Sequence, residues 1–193
     1  KSTWYTWLYQ INKERVLQEY LGFLDDLNRV AALRYAEGDI ELLEKSWFLA
    51  NLAEVKTSYA VTDNDAAISL NKLKQLIQGP SKIVPADSGL ILYQISKSQD
   101  RNPVMPSPGS RLQMENLQLQ LDGYFMQVGY FESAGLDHAQ LIMKINRAKY
   151  EAEEIDYLEY TKSLAEAFQI RMAYFETLNN YNQTALQLEH YAY

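Results

Sequence analysis

The stretch YEAEEIDYLEYTKSLAEAF, residues 150–168, has a counterpart in YAEGDIELLEKSWFLANLA, residues 35–53. With an offset of 115, identical residues coincide at Tyr35/Tyr150, Ile40/Ile155, Leu43/Leu158, Glu44/Glu159, Leu49/Leu164 and Ala50/Ala165. An internal repeat indicates that one supersecondary unit has been built twice. We therefore predict a single helical domain over residues 1–193, with repeat one at 2–79, a linker at 80–110 and repeat two at 111–193.

Outside the middle of the chain, apolar residues recur at helical spacing. Their intervals alternate between three and four residues, as in the series Leu17, Tyr20, Leu24, Leu27 and Ala31. This alternation is typical of a coiled-coil seam. Comparable series predict helices at about residues 3–36, 40–78, 111–151 and 154–191. We expect an all-α fold of two long antiparallel helical hairpins packed as a four-helix coiled coil or bundle, because helices this long need neighbours along their whole length.

The connections within the hairpins are predicted to be tight turns. Gly38 stands where the first helix should end, and Asp39 is placed to cap the next helix. Glu153 takes the corresponding place in the second repeat, so that turn either stays helical or holds a strained residue. Gly135 lies inside the third predicted helix, where a kink or a close contact would account for it.

The glycine- and proline-containing stretch between the repeats is the only plausible linker. It includes SGLILYQIS, residues 88–96. This segment fits either a short buried strand or a short helical segment, and periodicity does not separate the two.

Composition argues against several classes of function. A net charge of -7 disfavours nucleic acid or an anionic membrane surface as a partner, because both require clustered Lys and Arg. The absence of cysteine removes thiolate catalysis and cysteine-based metal sites. No apolar run is long enough to span a bilayer as a helix, and the N-terminal KSTWYTW lacks the pattern of a signal peptide.

The acidic stretch of the second repeat is a candidate for acid/base chemistry or for a hard-cation site. Its carboxylates are Glu151, Glu153, Glu154, Asp156 and Glu159. Helical spacing scatters these groups around the surface, which favours a solvated helix end. The two histidines, His138 and His190, do not follow a glutamate at the spacing of a di-metal helix motif. We therefore predict no catalytic residue, no metal site and no cofactor, and a protein that is not an enzyme.

The aromatic residues at the start of the chain allow two interpretations. Trp4, Tyr5, Trp7 and Tyr9 are amphipathic rings of the kind that collect at a membrane interface. Packing in the core of a narrow bundle explains them equally well.

Four segments resemble TolC-like outer-membrane factors, and in particular their heavy-metal cation-efflux branch. The segment RYAEGDIELLEKSWFLANL, residues 34–52, resembles the family's R-Y-x-x-G-[DE]-x-x-x-L-E pattern. YEAEEIDYLEY and IRMAYFETLNNYNQTALQLEHY, residues 150–160 and 170–191, are similar to two further signatures of that branch. STWYTWLYQINKE, residues 2–14, resembles the segment where the family enters a periplasmic helix.

The resemblance implies a periplasmic helical tunnel segment, closed by three protomers, in a family whose intact members are anchored in the outer membrane. Its helix-turn-helix tips would dock a periplasmic adaptor that links them to an inner-membrane pump. Such a domain also occurs fused to metal-exporting pumps. The residues implied at the tips are Arg34, Tyr35, Gly38, Asp39 and Ile40 in the first turn, and Tyr150, Glu154, Ile155 and Asp156 in the second.

Two features depart from the family pattern. Glu153 stands where the family prefers glycine, and the family's barrel strands have no counterpart between Gly79 and Arg111. The alternative function is a soluble four-helix bundle that binds a small ligand or metal. Buried polar residues converging midway along the bundle would favour that alternative, whereas polar tips with a continuous apolar interior would favour the tunnel segment.

Overall fold

The computed structural model describes residues 1–78, 83, 85, 88–95 and 108–192, and long helices dominate them. Helix α1 (Ser2–Glu37) and α2 (Leu42–Ile77) form the first hairpin. The second contains α3 (Pro108–Tyr130), a π-helical turn (Phe131–Gly135), α4 (Leu136–Glu151) and α5 (Tyr157–Ala192). The described residues contain no strand. The predicted all-α fold, with long helices packed as a bundle, is confirmed.

The bundle is open rather than closed into a square. Helices α1 and α5 pack against each other at its centre, α2 packs along α1, and α3 and α4 pack along α5. Helix α2 has only a marginal contact with α5 and no substantial contact with α3 or α4. Two flanks therefore remain without a neighbouring helix in the described structure, one formed by α2 and the other by α3 and α4.

The main hydrophobic core joins the two hairpins near their turns. Leu24, Phe48, Leu164 and Phe168 are almost fully buried in it. Tyr20 stacks on Phe168 with ring centroids 4.5 Å apart. Burying a side chain of this size stabilises the fold by about 1.5–3 kcal/mol, so the contact between α1 and α5 is a main source of stability.

The aromatic residues at the start of α1 belong to the core at the opposite end. Trp7 is buried, and its ring meets that of Trp4 edge-on at 5.4 Å. Trp4, Tyr5 and Tyr9 are half-buried and pack on a second apolar cluster. Of the two interpretations, this packing supports the core.

Residues 88–95 form neither the strand nor the helical segment that the sequence allowed, and Ser96 lies outside the described residues. The Asn182 side chain instead accepts a hydrogen bond from the Tyr93 N–H at 2.6 Å and donates one to the Ile91 carbonyl at 2.9 Å. Asn12 donates to the Ser88 carbonyl at 2.7 Å. These two buried amides replace the partner strand that would otherwise satisfy the backbone.

The irregularity expected at Gly135 is the π-helical turn. Gly135 is buried, and a Cβ atom there would lie 2.9 Å from Cδ1 of Phe131, so a larger residue would force a shift. The Tyr174 hydroxyl of α5 donates to Glu132 in the turn at 3.1 Å. Burial, together with this carboxylate, raises the pKa of Tyr174 to about 12.

Candidate partner-binding site

The structure brings the two predicted turns together at one end of the molecule. The Arg34 guanidinium of the first hairpin lies over the Tyr150 ring of the second, 5.5 Å from its centroid. Ile40 and Ile155 pack on the same core cluster. All nine predicted residues therefore belong to one region, which we call the turn end.

The first turn depends on glycine. Gly38 has φ 83°, in the left-handed region that residues with a Cβ rarely adopt. Its N–H donates to the Tyr35 carbonyl at 3.2 Å, and the Asp39 N–H donates to the Arg34 carbonyl at 2.8 Å. This pair of bonds is a Schellman motif, which satisfies carbonyls left unpaired at the end of α1.

The second turn has the same geometry without glycine. Glu153 has φ 58°, so the strained alternative predicted for this position is confirmed. Its N–H donates to the Tyr150 carbonyl at 3.1 Å, and the Glu154 N–H donates to the Lys149 carbonyl at 2.8 Å. Corresponding hydrogen bonds in the two turns therefore connect residues whose numbers differ by 115. The internal repeat of the whole sequence stays a prediction.

The helices that leave the turns are capped differently. The prediction that Asp39 caps α2 is wrong, because α2 begins later, at Leu42. The N–H of Glu41 donates to the Glu44 carboxylate at 2.9 Å instead. In the second turn the Asp156 carboxylate accepts the Glu159 N–H at 2.7 Å, so Asp156 helps to hold the start of α5.

The two predicted tyrosines have different surroundings. The exposed Tyr35 has the Lys45 ammonium 4.2 Å from its ring centroid. Tyr150 is half-buried and stacks on Tyr160 at 4.8 Å, with an angle of 10° between the rings. Burial raises the pKa of Tyr160. A partner can reach the Tyr35 ring, whereas Tyr150 mainly connects the two hairpins.

Exposed apolar side chains next to the first turn were missed by the sequence analysis. Leu42 and Leu43 are 63% and 76% exposed at the start of α2, and Leu33 is 66% exposed in the last turns of α1. Trp47 is partly exposed, with the Lys162 ammonium 5.9 Å from its ring centroid. The sequence did contain a signal for this exposure. Leu42 and Leu43 are adjacent at the start of α2, so they cannot both face the core, in which Phe48 already lies.

The turn end also carries many carboxylates. Exposed acids of the turn end are Glu37, Asp39, Glu41, Glu151, Glu153, Glu154, Asp156 and Glu159. Of these acids, Glu151 pairs with Arg147 at 2.8 Å. Most of the other carboxylates remain exposed to solvent. Among the described residues, no group of three or more His, Asp or Glu side chains is arranged to hold a metal ion. The surface suits a partner with both basic and apolar groups; that the chain lacks a specific metal site stays a prediction.

No helix among the residues that the structure describes is long and apolar enough to cross a membrane.

Comparison with known proteins does not assign the chain to a family. No family model, no curated protein and no solved structure matches the chain. The resemblance to TolC-like outer-membrane factors therefore stays a prediction.

Proposed function

We propose that this chain is the periplasmic helical tunnel segment of a TolC-like efflux component. In this proposal three copies stand side by side as a homotrimer, and their turn ends dock a periplasmic adaptor. The adaptor connects the tube to an inner-membrane pump in a tripartite system of the cation-exporting type. The protein has a structural and docking role and is not an enzyme.

The observation that carries the proposal is an exposed apolar seam on the flank of α3, which no other described helix covers. Leu112, Leu119 and Met126 follow one another at intervals of seven residues and are 63%, 65% and 71% exposed. A seven-residue apolar interval is the pattern of a helix that packs against another helix. The α3 face towards α5 is occupied by other residues, including the buried Leu121 and Val128. No other helix among the described residues covers this seam, and in the proposed assembly a neighbouring copy covers it.

The opposite flank offers a matching surface. Val61 and Ile68 of α2 are also seven residues apart and exposed. At about 1.5 Å per residue, Ile68 and Met126 lie at similar heights, roughly 45 Å and 40 Å from Gly38 and Glu153. Two different flanks that meet side by side make a head-to-tail contact, which closes into a ring when the rotation allows it.

The interior also supports the tunnel segment over the ligand-binding or metal-binding bundle. The buried side chains between the helices are mainly apolar and form three clusters along the bundle, and two of the buried hydroxyls bond to their own helix. Thr161 and Thr177 donate to carbonyls four residues earlier, each at 2.8 Å. Asn12 and Asn182 bond to residues 88–95. These buried polar groups therefore do not converge on a central site.

Disulfide trapping between the flanks tests the assembly. The chain has no cysteine, so the double variant Ile68→Cys/Met126→Cys carries its only two thiols on opposite flanks. Mild oxidation should give covalent dimers and trimers on a denaturing gel, with no larger species. Each single variant can form dimers at most and serves as the matched control. If the double variant stops at the dimer across a wide range of concentrations, the head-to-tail ring is refuted.

Docking at the turn end is tested separately. Replacing Gly38 by valine forces a β-branched residue into the left-handed conformation and should distort the first turn. We expect binding to the adaptor of the parent efflux system to weaken, as measured by biolayer interferometry. Gly22→Val, in the middle of α1 and far from the turns, is the control for a general loss of helix stability. Equal adaptor affinity for both variants would remove the turn end from the docking surface.

A further inference from the structure

A cleft of about 620 Å³ lies between α1, α4 and α5. Its wall is mostly apolar, with Phe23, Leu136, Met143, Leu164 and Phe175 among the lining residues. This volume falls within the usual range of sites for small organic ligands. None of its lining residues belongs to the two seams used in the tunnel assembly proposed above.

The cleft is long as well as apolar. On α4 its lining extends from Leu136 to Arg147, a distance of about 16 Å along the helix axis at 1.5 Å per residue. Leu136 directly follows the π-helical turn, and such turns are frequent at functional sites. A slot of this length suits an extended apolar chain better than a compact molecule.

Its charged residues are unusual for this protein. Although the chain has a net charge of -7, the lining includes Lys144, Arg147 and Arg171 but only one carboxylate, Glu19. Arg171 and Glu19 pair with each other at 2.7 Å. These two charges therefore cancel at the end of the cleft near Leu136.

The other end of the cleft keeps a positive charge. Arg147 pairs at 2.8 Å with Glu151, which does not line the cleft. Lys144 lies on the same face, one turn earlier, and makes no ion pair with any residue that the structure describes. An anion that enters here meets the unpaired Lys144 ammonium and the Arg147 guanidinium, which bonds to Glu151 through its Nε–H.

We propose that the cleft binds an amphipathic organic anion, such as a medium-chain fatty carboxylate. The single negative group would lie beside Lys144 and Arg147, and the apolar chain would extend along Met143 and Phe175 towards Leu136. Apolar burial supplies most of the affinity, and the free ammonium selects an anion over a cation of the same length. The inference is independent of the tunnel function and of the assembly.

Displacement of a fluorescent probe tests the binding. The full chain is titrated with 1-anilinonaphthalene-8-sulfonate, which is then displaced by dodecanoate or by dodecyltrimethylammonium, both below their micelle concentrations. The two competitors share their chain and differ in the sign of the charge. We expect dodecanoate to displace the probe at about tenfold lower concentration. Equal displacement by both would show binding to apolar surface alone and would overturn the proposal.

Variants locate the site. Lys144→Glu should weaken dodecanoate binding by about tenfold, which corresponds to about 1.4 kcal/mol. Lys149→Glu makes the same charge change on an exposed residue of α4 outside the cleft, and should have little effect. Met143→Trp fills the cleft and should weaken both competitors, with circular dichroism confirming that the helices remain.

Two further outcomes decide against the cleft. If Lys144→Glu and Lys149→Glu weaken binding equally, the effect is one of net charge and the cleft is not the site. If Leu119→Ser, on the exposed seam of α3, removes the binding while Met143→Trp does not, the probe occupies the flank instead.

Discussion

Replacing Glu153 by glycine should stabilise this protein. Glu153 holds the left-handed position of the second turn with φ 58°, where the first turn has Gly38. Its side chain is exposed and makes no hydrogen bond or ion pair with any described residue, so the substitution removes no contact that the structure shows. The change therefore isolates the backbone strain of one residue.

The magnitude follows from two opposing effects. A residue with a Cβ in the left-handed conformation costs about 1–2 kcal/mol relative to glycine. Glycine in turn increases the conformational entropy of the unfolded chain, which lowers stability by about 0.4–1 kcal/mol. We expect a net gain of roughly 0.5–1 kcal/mol from Glu153→Gly and a loss of similar size from the reverse change, Gly38→Ala.

The assay is urea unfolding followed by circular dichroism at the helical band. With an m-value of about 2.5 kcal/mol/M, the gain should raise the unfolding midpoint by roughly 0.2–0.4 M. The matched control is Ala152→Gly, the neighbouring residue, whose φ of -88° lies outside the left-handed region. There glycine relieves no strain, so the midpoint should fall.

The signs of the three shifts in unfolding midpoint decide whether strain is stored in the second turn. Our reasoning requires Glu153→Gly to raise the midpoint while Ala152→Gly and Gly38→Ala lower it. A fall for Glu153→Gly equal to that of Ala152→Gly would refute the idea that strain is stored in the second turn.

Two other perturbations have definite expected outcomes. Asn182→Ala leaves the buried N–H of Tyr93 without its acceptor, and should lower the free energy of unfolding by about 2–3 kcal/mol, with faster amide exchange at Tyr93. Because the pKa of Tyr174 is raised to about 12 in the folded state, its contribution to stability is complete below pH 10 and is lost between about pH 10 and 12. Glu132→Gln should lower that pKa in a spectrophotometric titration, yet leave it above 10, since burial is the larger cause; an unchanged pKa would show that Glu132 does not act on Tyr174.

The helices and the turn at Gly38 could be predicted because their signals are local. Apolar residues spaced three and four apart, and the glycine that follows the last of them, are each recognisable within a few turns of helix. The strained conformation of Glu153 was one of two alternatives, and only the backbone geometry separates them. The cap of α2 was misplaced because Asp39 and Glu41 both lie between the helices and have similar capping chemistry.

Other features depend on residues far apart in the chain. The conformation of residues 88–95 is set by Asn182, which lies 91 residues after Ile91, and no local pattern contains that contact. The cleft is lined by residues of α1, α4 and α5, so its lining cannot be listed from any one seam. Exposed leucines beside the turn were overlooked because apolar residues on a helix are expected to face a core.

The π-helical turn explains how the second hairpin keeps one face towards its core. Leu121, Val128, Leu136, Met143 and Tyr150 are buried or half-buried, and the intervals between them are seven, eight, seven and seven residues. In a regular α-helix the extra residue would rotate every later side chain by about 100° around the axis. The wider turn takes up that residue, so the phase of the stripe after Gly135 is the same as before Phe131. The second hairpin is thus a continuous heptad with one residue inserted, and a chain lacking that residue would present the same stripe from an ordinary helix.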